Sequence, residues 1–207
     1  MSIEQKPTQR QQQAQQRREQ IMEVGLDLFS SQGFAATSTR QISQQVGITE
    51  GLLYHYYPTK AGLLMEIVKR RHLLEGGLIA LLETAKGRPL RSFMEDLIAR
   101  IVLLAHEHAA LLRILLGESQ TNEELYGALC DTIETMIQLL VDYLASRVRV
   151  GEVRGDISLQ ASTQGFLGGM FLFFMTHHRL DAAQWQQQSG AFMQEWLDSW
   201  LLGVQIP

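Results

Sequence analysis

The feature that most constrains this chain is the segment 37–64, which reads TSTRQISQQVGITEGLLYHYYPTKAGLL. It contains two short helical patterns separated by Gly47, where a tight turn needs a positive φ angle. The second pattern carries three tyrosines and a histidine at positions 54–57, which a buried core does not require. Two short helices joined in this way are typical of a helix-turn-helix, whose second helix enters the major groove of DNA.

The flanking residues extend this pattern to a bundle of three helices. Apolar side chains recur at helical spacing from Ile21 and predict a first helix, which Gly33 ends. Ser38 or Thr39 is a suitable N-cap for the second helix, and Thr49 is one for the third. These caps and stops predict a compact N-terminal domain.

The rest of the chain also has helical periodicity. Pro58 ends the third helix, and Thr59 caps a fourth, longer helix predicted from Lys60 to about Leu82. Further helices are predicted at roughly 90–106, 108–117, 122–149, 158–178 and 182–202. The predicted fold class is therefore all-α. The predicted domains are a disordered arm at 1–16, a helix-turn-helix DNA-binding domain at 17–60, and a linker helix with an effector-binding and dimerisation domain at 61–207.

Composition narrows the class of protein. With 207 residues, 45% hydrophobic and 19% charged, the chain is globular rather than disordered. The single cysteine, Cys130, cannot form an internal disulfide and is predicted to be a small buried residue. The polar, glutamine-rich N-terminus does not resemble a signal peptide, and the apolar run 166–175 is too short to cross a bilayer. These features predict a cytoplasmic protein without a membrane partner.

The charge is unevenly distributed along the chain. The net charge is −4, yet residues 1–70 hold eight Lys/Arg and six Asp/Glu, a net charge of +2. The remaining residues hold ten against sixteen, a net charge of −6. A basic N-terminal domain on an acidic body is compatible with a nucleic-acid partner. Arg10, Arg17 and Arg18 in or beside the arm could reach a phosphate or the minor groove, although a solvated tail is an equal alternative.

About 45 residues closely resemble the TetR/AcrR family of bacterial transcriptional regulators. The resemblance combines the turn glycine, the tyrosine of the third helix and a lysine six residues later, in this order: Gly33-Phe34, Thr37–Thr39, Ile42, Gly47-Ile48-Thr49, Leu53-Tyr54, Tyr56-Tyr57-Pro58-Thr59-Lys60 and Leu63-Leu64. Ser43, the order of His55 and Tyr56, and Glu50 depart from the usual pattern. A carboxylate at position 50 repels phosphate unless it accepts from a cytosine amine or points to solvent, which leaves the operator sequence open.

The resemblance implies roles for individual residues of the helix-turn-helix. Tyr54, Tyr56 and Lys60 are expected to contact phosphate or sugar, with Ser38 and Thr39 donating from the second helix. Arg40 and His55 are the first candidates for contacts with base edges. Thr49 and Glu50 are the second candidates. Tyr57 is expected in the core, where the family has phenylalanine.

The resemblance also implies a homodimer on a palindromic operator, because two recognition helices about 34–36 Å apart fit successive major grooves. The last two long helices are the expected interface. Its candidate residues are Gly165, Phe166, Gly169, Phe173, Trp196 and Trp200. Burial of the tryptophans within one chain is an equal alternative.

A small-molecule effector is the second partner that the resemblance implies. An apolar or amphipathic effector is expected among the helices of 90–149, where a ligand would move the linker helix and release DNA. The candidate pocket residues are Phe93, Leu97, Arg100, Ile101, Leu104, Arg113 and Met136.

Motifs for other functions are weak. The pairs His106/His108 and His177/His178 each diverge on a helix, so neither predicts a metal site, and no cofactor is expected. No nucleophile elbow or phosphate loop predicts an enzyme. The hypothesis is a ligand-released transcriptional repressor. The alternative is a helical ligand-binding or protein-interaction module without DNA binding.

Overall fold

The structure is a computed structural model that describes residues 8–71, 75–85 and 88–206. These residues form ten α-helices. Their bounds are α1 (Gln9–Gln32), α2 (Thr39–Val46), α3 (Glu50–Tyr56), α4 (Lys60–Arg70), α5 (Glu75–Glu83), α6 (Leu90–Glu107), α7 (Ala109–Glu118), α8 (Glu123–Arg149), α9 (Leu159–His177) and α10 (Ala182–Val204). The all-α fold class predicted from the sequence is confirmed.

The described helices belong to two compact units. The head unit comprises residues 8–70 and 110–128, and the body unit comprises the described residues of 71–109 and 129–206. The head unit thus holds α1 to α4, most of α7 and the start of α8. The segment 110–128, which lies in the predicted effector-binding and dimerisation domain 61–207, belongs to the same unit as the helix-turn-helix.

Local signals set the ends of the helices in the head unit. Ser38 caps α2 in a capping box, in which its hydroxyl accepts from Gln41 N at 3.1 Å and Gln41 Oε1 accepts from Ser38 N at 2.7 Å. Gly47 follows α2 with φ 75°, a left-handed conformation that favours glycine. Tyr57 is extended before Pro58 and ends α3. The apolar faces meet in a core that includes Ile21, Phe29, Ile42, Leu53 and Leu64.

The prediction of a disordered arm is wrong for residues 8–16, and residues 1–7 lie outside the described part of the chain. Thr8 caps α1 and its hydroxyl accepts from Gln11 N at 3.3 Å. A capped run of glutamine and arginine forms a helix without apolar periodicity, because these straight side chains lose little rotamer freedom there. The periodicity of buried residues begins only at Ile21.

The prediction of one linker helix from Lys60 to about Leu82 is also wrong. Helix α4 ends at Arg70, Arg71 lies in a turn, and α5 begins at Glu75. Gly76 and Gly77 lie in the first turn of α5, just after the break, and the large loss of backbone entropy at glycine makes one uninterrupted helix less favourable there. In the head unit, α4 packs against α1 and buries Leu63, Leu64 and Ile67.

In the body unit, α6 packs against α5 and α10, and α9 packs against α10. Phe93, Phe166 and Leu201 are almost fully buried there. The prediction that Cys130 is buried is wrong, since α8 turns Leu129 inwards and leaves the next side chain exposed. None of the described helices has the length and hydropathy needed to cross a membrane.

Candidate nucleic-acid interface

The residues predicted to bind DNA lie on the outer side of α2 and α3. Arg40, Thr49, Glu50, Tyr54 and His55 are exposed. The inner side of the same two helices buries Ile42, Ser43 and Leu53. The exposed polar side chains therefore lie on two helices whose opposite sides are buried in the core of the head unit.

Three of these residues form a polar cluster that joins α2 to α3. The hydroxyl of Thr39 donates to Glu50 Oε1 at 3.1 Å. Tyr54 Oη lies 3.1 Å from Thr39 Oγ1. Since a threonine hydroxyl has one proton, both contacts are satisfied when Tyr54 donates to Thr39 and Thr39 donates to Glu50. The exposed carboxylate at position 50 thus has a specific partner for one of its oxygens.

The other hydroxyl groups of the interface are engaged differently. Ser38 Oγ lies 3.0 Å from Gln41 Oε1, to which it donates, so the capping box uses its proton. Thr49 Oγ1 accepts from Leu52 N at 3.2 Å, which leaves its own proton for another acceptor. Thr49 is therefore the better placed donor to a ligand.

Lys60 points towards the loop after α1. Its Nζ donates to Phe34 O at 2.7 Å and to Thr37 O at 2.8 Å, and it lies 4.3 Å from the centre of the Phe34 ring. Burial lowers the pKa of Lys60, and Glu118 opposes that shift. One of its three N–H groups is left for another acceptor. The predicted phosphate ligand therefore also ties α4 to the loop before α2.

The structure adds two contacts to this region that the sequence did not indicate. The Arg18 guanidinium lies 5.7 Å from the centre of the Tyr56 ring, so α1 approaches the end of α3. Thr59, at the start of α4, donates to Glu124 Oε1 at 2.6 Å. The two residues of each contact are far apart in the sequence, so no local sequence pattern predicts that they meet. Tyr57 is 7% exposed, which confirms its predicted place in the core.

The candidate pocket residues fall in both units. Arg113 belongs to the head unit and the other six belong to the body unit. Phe93, Leu97 and Leu104 are buried, whereas Arg100 is exposed. A groove of about 330 Å³ lies on another side of α6, between Ile98, Val102 and Met193.

The candidate dimer residues lie mostly between α9 and α10 of one chain. Phe166, Phe173 and Trp200 are buried, and Trp200 Nε1 donates to Ser162 O at 3.0 Å. A Cβ at Gly169 would lie 2.5 Å from Trp196 Cζ2, so this glycine permits an approach within the chain. Gly165 is exposed, and a Cβ there would meet nothing within 4 Å.

The described histidine, cysteine and acidic residues form no group of three that could hold a metal ion. His177 and His178 instead bond to main-chain oxygens of their own helix, at Phe173 and Phe174. His106 stacks on Trp185 with ring centres 5.4 Å apart.

Comparison with known proteins identifies the head. Residues 21–67 match the family model described as "Bacterial regulatory proteins, tetR family". The head unit therefore carries a TetR-family domain. The matched residues include α2, α3 and the start of α4, so the family resemblance inferred from the sequence is confirmed.

Relatives in the family are transcriptional regulators. The chain is 27% identical over 153 residues to the HTH-type transcriptional regulator UidR of Escherichia coli K12, covering 72% of this chain and 74% of UidR. It is 41% identical over 56 residues to the regulator AcrR of Shigella flexneri, covering 27% of this chain and 26% of AcrR. The structure of Salmonella enterica GusR has the same fold, with a TM-score of 0.74, 19% identity, and coverage of 89% and 93%. The chain is thus similar over most of its length to TetR-family transcriptional regulators, which are typically ligand-responsive repressors.

Proposed function

We propose that this regulator binds double-stranded DNA through the outer side of α2 and α3. The observation that carries the proposal is the row of exposed polar side chains on a buried apolar base. Tyr54 is 47% exposed, and its hydroxyl lies 3.1 Å from Thr39 Oγ1 at the surface. A recognition helix presents such a row to the major groove.

The proposed contacts divide by chemistry. Thr49, Tyr56 and Lys60 would donate to phosphate or sugar oxygens and fix the register. Ser38, Thr39 and Tyr54 already donate within the chain, so they would hold their neighbours in place for the contact. Arg40 and His55 would read base edges, as would Glu50. The first residues of a recognition helix contact bases in this type of domain, and Glu50 is the first residue of α3.

The test is a selection of operators from random double-stranded DNA by the full-length protein, followed by a gel shift with the region upstream of its own gene. We expect one palindromic sequence to be enriched and to bind about 10³-fold or more tightly than random DNA. Tyr54→Phe should weaken binding, while Tyr126→Phe, an exposed tyrosine on α8, should not. Absence of binding would favour the module without DNA binding, and equal binding to all DNA would refute sequence-specific recognition.

Lys60 needs its own measurement because two of its protons already bind carbonyl groups. If the third holds a phosphate, Lys60→Met should lower the slope of log affinity against log salt by about 1. If Lys60 only ties α4 to the loop, affinity falls while the salt slope stays unchanged. Lys69→Met, at the other end of α4, is the matched control.

We further propose a homodimer formed through the exposed side of α9. Gly165, Gly168, Leu172 and Met175 follow one another at spacings of three and four residues and are all exposed, Leu172 to 64%. On a helix this spacing gives one apolar stripe, and the two glycines let another helix approach closely. The aromatic residues that the sequence placed at the interface would then pack against the buried side of α9, within one chain.

Sedimentation measurements test this interface. Leu172→Glu should convert the dimer to a monomer, because it buries a charge in the stripe. Leu103→Glu, at a side chain of α6 that is 48% exposed, should leave the mass unchanged. A Leu172→Glu protein that remains dimeric would refute the assignment of this face.

The body unit is proposed to bind the effector that releases DNA. Four buried side-chain atoms have no hydrogen-bond partner among the described residues, and all belong to this unit: Tyr143 Oη, Thr163 Oγ1, Trp185 Nε1 and Trp196 Nε1. Buried unpaired polar groups raise the free energy of the folded state, so a polar group of a mainly apolar ligand would be favoured beside them. Repression then fails when the ligand is bound.

Tryptophan fluorescence provides the measurement. A small-molecule library is screened for compounds that raise the melting temperature and quench Trp185 or Trp196, and each hit is added to the protein–operator complex. A hit that releases DNA and raises expression of a reporter supports a repressor. Hits that bind without changing DNA affinity would contradict the coupling.

A further inference from the structure

Glu50 is the one acidic side chain on the outer side of α2 and α3 among the residues described there. Its Oε1 accepts from Thr39, and within the described residues its Oε2 has no hydrogen-bond partner. No described Lys, Arg or His lies within ion-pair distance of this carboxylate. A fixed acceptor without a counter-charge therefore stands at the start of the recognition helix.

Such a carboxylate needs a donor in the complex with DNA. Phosphates repel it, and the loss of water around an unpaired charge raises the free energy of binding. Major-groove edges offer two amine donors, cytosine N4 and adenine N6. Adenine has the acceptor N7 beside its amine, which repels the second carboxylate oxygen, whereas cytosine has none. Cytosine is thus the base whose edge fits a carboxylate.

We propose that Glu50 reads a cytosine in each half of the operator and that Thr39 and Tyr54 hold its carboxylate for that contact. The inference rests on the proposed DNA-binding function and adds the base that this position selects. Glu50 would be the specificity-determining residue, while Thr39 and Tyr54 would be positioning residues.

The neighbours of Glu50 allow this contact. Gly51 follows it, is exposed and has open space around the place of a Cβ, so no side chain shields the carboxylate from a groove. Leu53, one helical turn on, is 1% exposed and anchors α3 to the core. The chain of hydrogen bonds from Tyr54 through Thr39 restricts the rotamers of Glu50 before DNA binds. A restrained side chain loses less entropy on binding, which favours discrimination between bases.

The experiment selects operators with three full-length proteins: wild type, Glu50→Ala and Glu50→Gln. We expect the wild type to require cytosine at one position of each half-site, with about a 10- to 100-fold loss of affinity when that pair is changed. Glu50→Ala should lose the preference at that position alone. Glu50→Gln should prefer adenine there, because glutamine pairs with adenine N6 and N7. Glu23→Gln, an exposed acid of α1, is the control and should keep the wild-type operator.

Thr39 is tested by a second pair of variants. Thr39→Val removes the donor to Glu50 and should reduce the discrimination at the cytosine position by about tenfold, whereas Thr39→Ser keeps the hydroxyl and should restore it. A merely structural role would lower affinity for every operator equally. Tyr54→Phe should produce a smaller loss of discrimination, because it removes only the second bond of the chain.

The outcomes separate the two proposals. If the wild type selects no sequence, the proposed DNA-binding function fails. If the wild type selects an operator whose base preferences are unchanged in Glu50→Ala and Glu50→Gln, DNA binding stands and the role of Glu50 is refuted. Selection of a base other than cytosine at the position sensitive to Glu50 also refutes the assignment.

Discussion

The head and body units differ in how completely their buried polar groups are paired, since the buried side-chain atoms without a partner among the described residues all lie in the body unit. In the head unit, Thr37 is 1% exposed and donates to Gly33 O at 2.8 Å. In the body unit, Thr163 is also 1% exposed, but its hydroxyl has no partner among the described residues. The two threonines differ in what surrounds them rather than in burial.

This difference reflects how each unit is built. Hydrogen bonds of the head unit join its short helices and turns, which suits the DNA-binding surface proposed above. The body unit instead packs aromatic rings, such as Phe173 on Phe192 with centres 4.7 Å apart. Packing of this kind leaves donors such as Trp185 Nε1 without partners. A head with paired polar groups and a body with unpaired ones suit the proposed function, in which DNA binds to the head and the effector binds to the body.

The largest expected effect tests whether apolar packing matters equally in both units. Phe29 in the head and Phe93 in the body are each fully buried. Phe29→Ala and Phe93→Ala should each lower the free energy of unfolding by about 3–5 kcal/mol, through lost burial and a cavity. Urea unfolding followed by circular dichroism measures this, with Leu103→Ala as the exposed control. A loss below about 1 kcal/mol in one unit would show that its core is loosely packed.

A smaller effect probes the close helix contact of the body unit. Gly169→Ala should lower the free energy of unfolding by about 1–3 kcal/mol, because the new Cβ would collide with the Trp196 ring. Gly190→Ala, at an open position of α10, should raise it by up to about 1 kcal/mol through helix propensity. Equal effects of the two substitutions would mean that α9 and α10 are not in tight contact.

The matched threonines test the comparison directly. Thr37→Val removes a buried hydrogen bond and should lower the free energy of unfolding by about 1 kcal/mol. Thr163→Val removes an unpaired hydroxyl and should leave stability unchanged or raise it by about 1 kcal/mol. Thermal and urea unfolding of both variants give the sign. Destabilisation by both would show that Thr163 is paired in solution.

The smallest effect is a pH dependence in the body unit. Burial lowers the pKa of His108 below its usual 6.5, Arg71 lowers it further, and Glu107 opposes them. The folded state thus favours neutral His108, so stability should be full above pH 6.5 and decline as the pH falls through the lowered pKa. Unfolding between pH 7.5 and 5 measures this decline, and His108→Gln should make it shallower. An identical profile in the variant would assign the decline to other groups.

Much of the head could be predicted because its signals are local. Gly47, Thr49 and Pro58 act on neighbouring backbone through φ preference, capping and pre-proline sterics, and the structure has all three features. The start of α1 at Gln9 and the break after Arg70 were not predicted. Polar glutamine runs have no apolar period, and the periodicity of residues 60–82 continues across the break.

The candidate site was only partly predictable for the same reason. Sequence pattern and family resemblance selected Thr39, Glu50 and Tyr54 as separate contacts, yet their mutual hydrogen bonds join positions eleven and fifteen residues apart. The carbonyl partners of Lys60 lie 26 and 23 residues away. No spacing rule relates such pairs until the helices have packed.

The sequence by itself determined the helix-turn-helix, its caps and the resemblance of residues 21–67 to the tetR family, because these depend on residues within a few positions of one another. Tertiary structure decided which side chains meet. It set Gly169 against Trp196, bound Leu90 N to Glu152 Oε2 at 3.0 Å, and turned Lys60 towards the loop after α1. Such contacts depend on how amphipathic helices pack, and many sequences with the same periodicity allow more than one packing.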